Sequence, residues 1–476
     1  MNKKAIYNAL GKILILLAFT MLVPLLVAFY YGEPLKPFTV SILITFLAGL
    51  LLTRIKSSVE WQQKEALAIV ALTWLSAAIF GGIPFLFEGV SFIDAVFETM
   101  SGFTSTGSTI FVDIESYSRS LLFWRSFTQW LGGMGIIVLF IAILPKLGVA
   151  GRQLFRAEAP GPTEDKLKPR IKDTAKILWA LYVLISAVEV VALMLAGMSL
   201  YDALTHTFAG MACGGYSPYG LGIEAFNSPL IEFILTFFMF AAGANFALYY
   251  RAIFIDSNFL LKDEEFRAYT FILLGFSGLL TLVLYKDMDF SLFNSFRYAI
   301  FQITSIMTAT GFASTDFNLW TDSAKVLVFA VMFIGGCAGS TGGGMKVVRF
   351  LLMLKYARRE LFKFVHPRLI RPIRFNNKAV PDDVLQSILS FVVIYILVFI
   401  FSAMFLTLLG VDMISSATAS IATLGNIGPG FNVVGPMANF SALPPLGKII
   451  LINNMWVGRL EVYTVLVLFT SDFWHS

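Results

Sequence analysis

Four short turns rich in Ser, Thr and Gly recur at domain-scale intervals and limit what this chain can fold into. Their sequences are FTSTGST at 103–109, MACGGYS at 211–217, MTATGFA at 307–313 and ATLGNIG at 422–428. With Gly107, Gly215, Gly311 and Gly425 aligned, the spacings are 108, 96 and 114 residues, which indicates a fourfold internal repeat. Three of these glycines have an acidic residue 13 positions earlier, at Asp94, Asp202 and Asp412, and Tyr298 takes that place in the third copy.

An apolar segment of about ten residues precedes each turn, and at about 1.5 Å per residue it is too short to cross a hydrocarbon core of about 30 Å. It must enter and leave on the same side of a membrane, and protein must surround it because lipid cannot satisfy its backbone. The chain is 57% apolar and 14% charged, which is typical of integral membrane proteins. We therefore expect an all-α integral membrane protein. Each repeat would consist of an outer helix, a re-entrant pore helix with its glycine loop, and an inner helix.

Ten full spans and four re-entrant segments are predicted along the chain. An N-terminal hairpin, 13–31 with 38–53, stands outside the repeat. The repeats comprise 66–87, 92–103 and 126–145; 177–198, 200–211 and 229–250; 268–285, an approach segment ending at 307, and 326–345 continuing toward 363; and 387–410, 412–422 and 449–473. The corresponding units are the hairpin at 1–60 and the repeats at 61–150, 151–260, 261–378 and 379–476.

Lys and Arg are concentrated in the connectors 54–64, 146–176 and 346–378, whereas the segments that hold the glycine turns carry few. The positive-inside rule then places both termini in the cytoplasm and makes the turns enter from outside. The long basic connectors are first of all solvated flanks, and they could also dock a cytoplasmic partner or membrane lipid. This bias does not require nucleic acid as a partner. Cys213 and Cys337 give no disulfide framework.

A half-helix that ends in a glycine turn can bind a cation without a charged side chain. The helix directs its partially negative C-terminal end toward the membrane centre, and the three Asp residues would cap the opposite end. Glycine then allows successive carbonyl groups to turn inward and replace a hydration shell. The alternative, that Gly and Ser/Thr only allow close helix packing, explains one turn better than four turns after matched half-spans.

The fourfold unit, with STGST, CGGYS, ATGFAS and TLGNIGPG in its loops, resembles the bacterial Trk/Ktr/HKT potassium transporter superfamily over essentially the whole chain. The N-terminal hairpin makes it similar to the membrane subunit of Trk rather than of Ktr systems. The resemblance implies a potassium filter lined by the four loop glycines and by the residues just before them. In this sequence these residues are Ser105, Thr106, Gly107, Cys213, Gly214, Gly215, Ala309, Thr310, Gly311, Thr423, Leu424 and Gly425.

Two positions bear on the selectivity that the resemblance implies. In related proteins a serine at the first filter glycine accompanies sodium preference, and Gly107 is intact here, so potassium selectivity is implied. Cys213 stands where Ser or Thr is more usual. This leaves the backbone role of the second loop untouched and puts a hydroxyl contact there in doubt.

Six glycines crowd the ten residues 335–344, GGCAGSTGGG, which interrupt the third inner span and cannot form a comfortable helix. A phosphate-binding loop does not fit, because Met345 follows Gly344 and Lys346 comes one place late. Irregular backbone at membrane depth is tolerated where it lines a cavity, so we expect a mobile gate beneath the filter, as in the resembled family. A static kink is the alternative. The gate residues are Gly335, Gly336, Gly339, Gly342, Gly343, Gly344 and Arg459.

Arg459 lies about ten residues into the last apolar run, where an arginine is costly and normally faces a cavity or a partner. The resembled family has an arginine at the matching place, facing the pore under the filter as an electrostatic barrier. A structural ion pair is the alternative. We expect structural roles for Glu189 and Glu232. Glu98, inside the first half-span, could add negative potential near the pore or bond to backbone. The three histidines lack metal-ligand spacing, and no catalytic constellation is evident.

The leading hypothesis is potassium uptake across the bacterial cytoplasmic membrane, with potassium bound in the filter and no organic cofactor. Alternatives are a sodium or non-selective cation transporter of the same architecture, an intramembrane enzyme using Glu189, Glu232, Arg459 or Glu461, and a scaffold with an inert pore. The resemblance further implies a homodimer and a cytoplasmic nucleotide-binding regulatory subunit (TrkA-like). It is compatible with both passive conduction and symport.

Overall fold

Helices make up nearly all the regular structure in the computed structural model, which describes residues 1–55, 63–142, 171–254, 256, 258–367 and 372–475. The N-terminal hairpin contains α1 (Lys3–Thr20), α2 (Leu22–Tyr31) and α3 (Lys36–Thr53). The first repeat contains α4 (Gln63–Gly81), α5 (Ile83–Leu86), α6 (Phe92–Phe103) and α7 (Arg119–Ala142). The second contains α8 (Ile171–Leu195), α9 (Leu200–Met211), α10 (Pro229–Ala242) and α11 (Phe246–Phe254).

The third repeat follows after the short α12 (Phe259–Lys262), with α13 (Glu264–Asp287), α14 (Leu292–Met307), α15 (Asp322–Met332) and α16 (Val347–Val365). A two-stranded antiparallel hairpin, β1 (Arg374–Phe375) and β2 (Lys378–Ala379), pairs Arg374 with Ala379. The fourth repeat contains α17 (Asp382–Leu408), α18 (Met413–Leu424), α19 (Pro445–Arg459), α20 (Tyr463–Leu466) and α21 (Ser471–His475). Short 3-10 turns occur at Ile114–Ser116, Gly222–Phe226, Phe317–Leu319, Asn432–Val434 and Val467–Phe469.

Two glycines let the N-terminal hairpin pack backbone against backbone. A Cβ atom on Gly11 would lie 2.7 Å from the carbonyl oxygen of Gly49, and one on Gly49 would lie 2.8 Å from that of Gly11. Small residues permit such close approach between membrane helices. Asn8 Nδ2 also donates to the Thr53 carbonyl at 2.9 Å. The predicted unit boundaries at residues 60 and 150, and most of the 146–176 connector, lie outside the described residues.

Four half-length helices, α6, α9, α14 and α18, occupy the predicted re-entrant positions and have 12, 12, 16 and 12 residues. The prediction that Asp94 and Asp202 cap them is wrong in detail. Ser91 and Ser199 are the N-caps, and each accepts a hydrogen bond from the backbone N–H of its Asp three residues later. This is the first half of a capping box, and in both helices the Ser hydroxyl also donates to the Asp carboxylate, at 2.8 and 2.6 Å. Asp412 is itself the N-cap of α18, and the third copy uses Ser291 rather than any group near Tyr298.

The inner helices are less continuous than predicted. Within the described residues six helices are long and apolar enough to span a membrane, or seven if α10 and α11, bent by 92°, count as one. The prediction of ten spans counted three inner helices as continuous, although each is broken in the structure. The predicted span 229–250 breaks after Ala242, 326–345 breaks after Met332, and 449–473 breaks after Arg459. α15 and α19, with 11 and 15 residues, are shorter than the roughly 20 residues that a full span requires.

Burial is inverted relative to a water-soluble fold. Large apolar side chains on the outer helices are exposed, for example Phe29, Leu184, Phe271 and Leu408 at 74%, 60%, 82% and 73%. The pore helices instead bury hydroxyl groups, including Ser101, Thr207, Thr304 and Ser420. An apolar outside and a polar inside are what a bilayer solvent selects. Most residues of the four glycine loops are buried among these helices.

Candidate functional site: a ring of four loops

The four loops repeat one backbone conformation. Four residues after each pore helix ends comes a glycine with positive φ: Gly107 (86°), Gly215 (73°), Gly311 (83°) and Gly428 (105°). Two residues before each of these stands a non-glycine residue with positive φ: Ser105 (50°), Cys213 (53°), Ala309 (60°) and Asn426 (52°). Positive φ is uncommon outside glycine, so four such pairs in register define one structural motif.

The fourth loop is therefore displaced by three residues from its predicted alignment. Gly425 has φ −79° and caps the end of α18, while Thr423 and Leu424 belong to that helix. The geometric equivalents of Ser105, Thr106 and Gly107 are Asn426, Ile427 and Gly428. The TLG sequence resembles the other three motifs in composition, but it forms the end of α18 rather than the loop. Counting from the N-cap would have found the register, because Ser91, Ser199 and Asp412 each precede the positive-φ glycine by 16 residues.

Each of these four positive-φ glycines lies against the next loop, and the contacts close a ring. A Cβ atom on Gly107 would lie 2.1 Å from the Gly214 carbonyl oxygen, and one on Gly215 would lie 2.0 Å from that of Thr310. On Gly311 it would lie 2.0 Å from the Ile427 oxygen, and on Gly428 it would lie 2.8 Å from the Thr106 oxygen. No side chain fits at these distances. Glycine is required at these four positions by both conformation and space.

Carbonyl groups of equivalent residues form this ring: Thr106, Gly214, Thr310 and Ile427. Within the described part of the chain, the oxygens of Thr106, Thr310 and Ile427 accept no hydrogen bond, whereas that of Gly214 accepts one from Gln129 Nε2 at 2.6 Å. Buried carbonyls normally have a partner. Three unpaired oxygens in equivalent positions are thus available to a cation that has lost water, which is how a carbonyl filter coordinates its ion.

A buried ion pair supports the first two loops from behind. Glu98 of α6 and Arg125 of α7 lie 2.7 Å apart with almost no exposure. The carboxylate also accepts from the N–H of Ile110 at 2.9 Å, and Arg125 Nη1 donates to the Ser217 carbonyl of the second loop at 3.2 Å. The guanidinium lies 4.0 Å from the centre of the Tyr216 ring. Sequence reasoning considered Glu98 alone. A second charge in the next apolar segment, Arg125, was the available signal.

The glycine-rich segment 335–344 is irregular, as predicted, and it fills the space between the broken inner helices and the filter loops. Thr341 Oγ1 donates to the Met211 carbonyl at the end of α9 (2.9 Å). A Cβ atom on Gly342 would lie 2.6 Å from the Thr308 oxygen, and one on Gly343 would lie 2.3 Å from the Gly425 oxygen. The segment thus contacts the base of the second, third and fourth loops, which only side-chain-free residues allow.

Backbone hydrogen bonds join this segment to the break in the second inner helix. The N–H of Cys337 donates to the Gly243 carbonyl at 2.8 Å, and the N–H of Phe246 donates to the Gly339 carbonyl at 3.2 Å. The N–H groups of Ala338 and Val348 both donate to Glu265 Oε1, at 2.8 and 3.1 Å. Donors freed by the two helix breaks are therefore satisfied inside protein, as a membrane interior requires.

Arg459 links this segment to the first loop. Its Nη1 donates to the Thr341 carbonyl at 2.8 Å and its Nη2 to Ser105 Oγ at 3.2 Å, while Nε has no partner. It pairs with no carboxylate among the described residues. Lys346 donates to the Gly342 carbonyl, and Arg349 pairs with Glu461 at 2.7 Å. Both Lys346 and Arg349 are buried, so these two do not belong to a solvated connector.

The remaining charged candidates are separated. Glu232 makes a two-point pair with Arg297 (2.7 and 2.5 Å), and Glu189 is fully buried with no hydrogen-bond partner for either oxygen. His206 contacts the Asp202 carbonyl and the Ser217 hydroxyl. No group of three metal-ligating side chains occurs within the described ranges. The acids therefore do not converge on one point, as an intramembrane enzyme would require.

Comparison with known proteins agrees with this architecture. The chain matches the sequence profile of the TrkH family, described as a cation transport protein, over residues 37–476. The Trk system potassium uptake protein TrkH of Escherichia coli (strain K12) is 41% identical over 485 residues, with 100% of both chains covered. TrkG of the same organism is 33% identical over 481 residues, with 99% of each chain covered. The crystal structure of the potassium transporter TrkH from Vibrio parahaemolyticus matches with a TM-score of 0.91 at 36% identity, with 100% of both chains covered.

Fold and site together define a class, the helical multi-pass membrane proteins in which re-entrant helices and their loops close a central ring. More particularly, the chain belongs to the TrkH family of cation transport proteins. The resemblance inferred from the four loops is confirmed, and so is the all-α membrane fold. The relatives are named as uptake proteins and transporters, which supports the prediction that the chain is not an enzyme.

Proposed function

We propose that this chain takes up potassium ions across the bacterial cytoplasmic membrane and that the ion passes through the ring of four loops. The observation that carries the proposal is the set of equivalent carbonyls of Thr106, Gly214, Thr310 and Ile427, each held against the next loop's glycine. Such a ring can replace a hydration shell with fixed oxygens. The names of the relatives, which specify potassium uptake, support potassium as the ion. The filter residues are those predicted in the first three loops, together with Asn426, Ile427 and Gly428.

The test is cation flux into liposomes that contain the purified chain, measured with rubidium as the potassium tracer and with sodium. Rubidium should enter much faster than sodium. The Gly107→Ser variant places a side chain against the Gly214 carbonyl at a residue with φ 86°, so it should lower the ratio of rubidium to sodium flux. Equal rates for the two ions in the wild type would favour the non-selective alternative, and no flux of either would favour an inert pore.

The segment 335–344 and Arg459 form the proposed gate. It rests on the contacts of Thr341, Gly342 and Gly343 at the base of the loops and on the positive charge of Arg459 beside Ser105. Replacing Arg459 by Ala removes both the charge and the bond to Thr341, so rubidium flux should rise with selectivity retained. Arg459→Lys is the matched control, since it keeps the charge but not the planar two-point contact. Unchanged flux in Arg459→Ala would count against the gate.

A cytoplasmic nucleotide-binding regulatory subunit is the proposed partner, in agreement with the words "Trk system" in the relatives' names. The end of α16, which continues directly from the gate segment, exposes Leu361, Phe364 and Val365 to 72%, 90% and 69%. We expect Phe364→Asp to weaken binding of a Trk-type nucleotide-binding subunit and its effect on flux. Leu319→Asp, at another exposed apolar residue of the same repeat (75%), should leave both unchanged. The homodimer also belongs to this proposal, and mass measurement in detergent tests it.

A further inference from the structure

Glu189 is an acidic side chain that is fully buried and makes no hydrogen bond. It has no solvent exposure, and neither carboxylate oxygen has a hydrogen-bond partner. It lies in α8, six residues before the helix ends at Leu195, which is about 9 Å along the helix axis. Its neighbours Leu184, Val188 and Val191 are exposed toward the lipid side, so Glu189 occupies the inner face of an otherwise apolar helix.

The carboxyl group contacts the C-terminal end of the second pore helix. Glu189 Oε1 lies 3.1 Å from the point that a Cβ atom on Gly210 would occupy, and the ring of Phe312 lies 3.5 Å from the same point. The glycine leaves the space that the carboxyl group uses. Gly210 accepts the N–H of the filter residue Cys213 at 3.0 Å, and Phe312 directly follows the filter glycine Gly311. Glu189 therefore packs behind the second and third filter loops.

Among the described residues, no hydrogen bond or ion pair joins Glu189 to a charged group on the helices packed around it. α8 packs against α7, α9, α10 and α11. Several charged groups on these helices pair with other residues instead. On α7 Arg125 pairs with Glu98, on α9 His206 contacts Asp202 and Ser217, and on α10 Glu232 pairs with Arg297. The other titratable or charged groups with described side chains are Arg119, Tyr201, Asp202, Tyr249, Tyr250 and Arg251 on these helices, Tyr182 and Lys176 on α8 itself, and Cys213 beyond α9.

An ionised carboxylate at this place would be unfavourable for two reasons. Burying an unpaired charge costs several kcal/mol even after relaxation. The C-terminal end of α9, which faces the group, also carries a partial negative charge. We propose that Glu189 is an intramembrane proton-binding site, which holds its proton while α8 is packed on α9 and whose loss of that proton at alkaline pH stops conduction. Ionisation would force the carboxylate away from Gly210 and loosen the support of loops two and three.

This inference rests on the proposed potassium uptake for its functional readout but not for its chemical one. The variant Glu189→Gln keeps the shape and cannot ionise. Glu224→Gln is the matched control, because it removes an exposed carboxylate from the same repeat. Infrared spectroscopy of the full chain in lipid at neutral pH should show the C=O stretching band of a protonated carboxylic acid in the wild type and in Glu224→Gln, reduced in Glu189→Gln. Identical bands in all three proteins would overturn the proposal.

Rubidium flux between pH 6 and pH 9 supplies the second measurement. Wild-type and Glu224→Gln flux should fall as pH rises, by up to about tenfold per pH unit once the site releases its proton, while Glu189→Gln should retain its flux. Superimposable pH profiles of Glu189→Gln and the wild type would refute control by this site. If no protein conducts rubidium at any pH, the uptake function has failed and the infrared result still decides whether the proton is present.

Discussion

The first and fourth filter loops adopt the same backbone and are supported by opposite kinds of chemistry. Behind the first loop lies a charged network, in which Glu98 and Arg125 contact each other and both bond to Thr109. Behind the fourth, neutral groups do the same work: Asn426 Nδ2 donates to Thr106 Oγ1 at 2.9 Å, and Thr418 Oγ1 accepts the N–H of Phe431 at 3.0 Å. The fourfold repeat therefore extends to the glycine ring but not to its support.

This difference indicates which features the ring requires and which can vary. Each glycine is fixed by its φ angle and by the adjacent carbonyl, so it recurs four times. The supporting shell has only to hold the loop in place, and either an ion pair with satisfied hydrogen bonds or a set of hydroxyl and amide groups can do so. The two kinds of support differ in how much stability the protein would lose without them. A buried charge left without its partner is far more unfavourable than a lost neutral hydrogen bond.

The largest effect is expected from breaking the charged support. Arg125→Ala leaves the Glu98 carboxylate buried and unpaired, which should destabilise the protein by about 3–5 kcal/mol. Thermal unfolding in detergent and the ratio of rubidium to sodium flux measure the two consequences. The ratio should fall, because Arg125 also bonds to the second loop at the Ser217 carbonyl.

The double variant Glu98→Gln with Arg125→Met provides the control, since it removes both charges and restores much of the volume. It should recover a large part of the stability that Arg125→Ala loses, as replacement of whole buried ion pairs often does. If the single and double variants are equally unstable, the unpaired charge is not the cause of the loss.

Alanine substitutions at Gly428 and Gly425 should differ in their effect on the ring, and both effects should be smaller than that of Arg125→Ala. Gly428→Ala forces a side chain onto a residue with φ 105° and toward the Thr106 oxygen, at a cost of about 1–3 kcal/mol. Rubidium flux should fall about tenfold or more. Gly425→Ala occupies ordinary helical angles, and its methyl group meets mainly the flexible Ile427 side chain and the preceding helical turn. It should conduct nearly as the wild type does, and the reverse ranking would restore the register predicted from the TLG motif.

The same contrast explains which features of the fold and the loops the sequence could predict. The repeat, the re-entrant helices and three of the four loops could be predicted, because glycine at positive φ and a short apolar helix leave local signals. The fourth loop was misplaced because Thr423, Leu424 and Gly425 have the composition of a filter but helical angles, and composition does not report φ. The break after Ala242 was missed because apolar character continues across it, while backbone bonds to the segment 335–344 replace the helix.

The ion-pair partners of the buried charged residues could be predicted even less well from the sequence. Glu98 and Arg125 are 27 positions apart, and Arg349 and Glu461 are 112 apart. The sequence around each of these residues gives no indication of its ion-pair partner. Their proximity results from the closure of the ring, which is a property of the assembled tertiary structure. Only the rule that a charge in an apolar segment needs a partner could have raised the question.

The smallest expected difference is between two matched hydroxyl deletions, one in each support. Thr418→Val removes the acceptor of the Phe431 N–H and should cost about 1 kcal/mol. Thr109→Val should cost about 1.5–3 kcal/mol, because the lost hydroxyl bonds to Glu98 and Arg125, and bonds to charged groups are the stronger ones. Thermal unfolding of the two variants ranks them directly. Equal losses would mean that the ion pair contributes no more to the first loop than neutral groups do to the fourth.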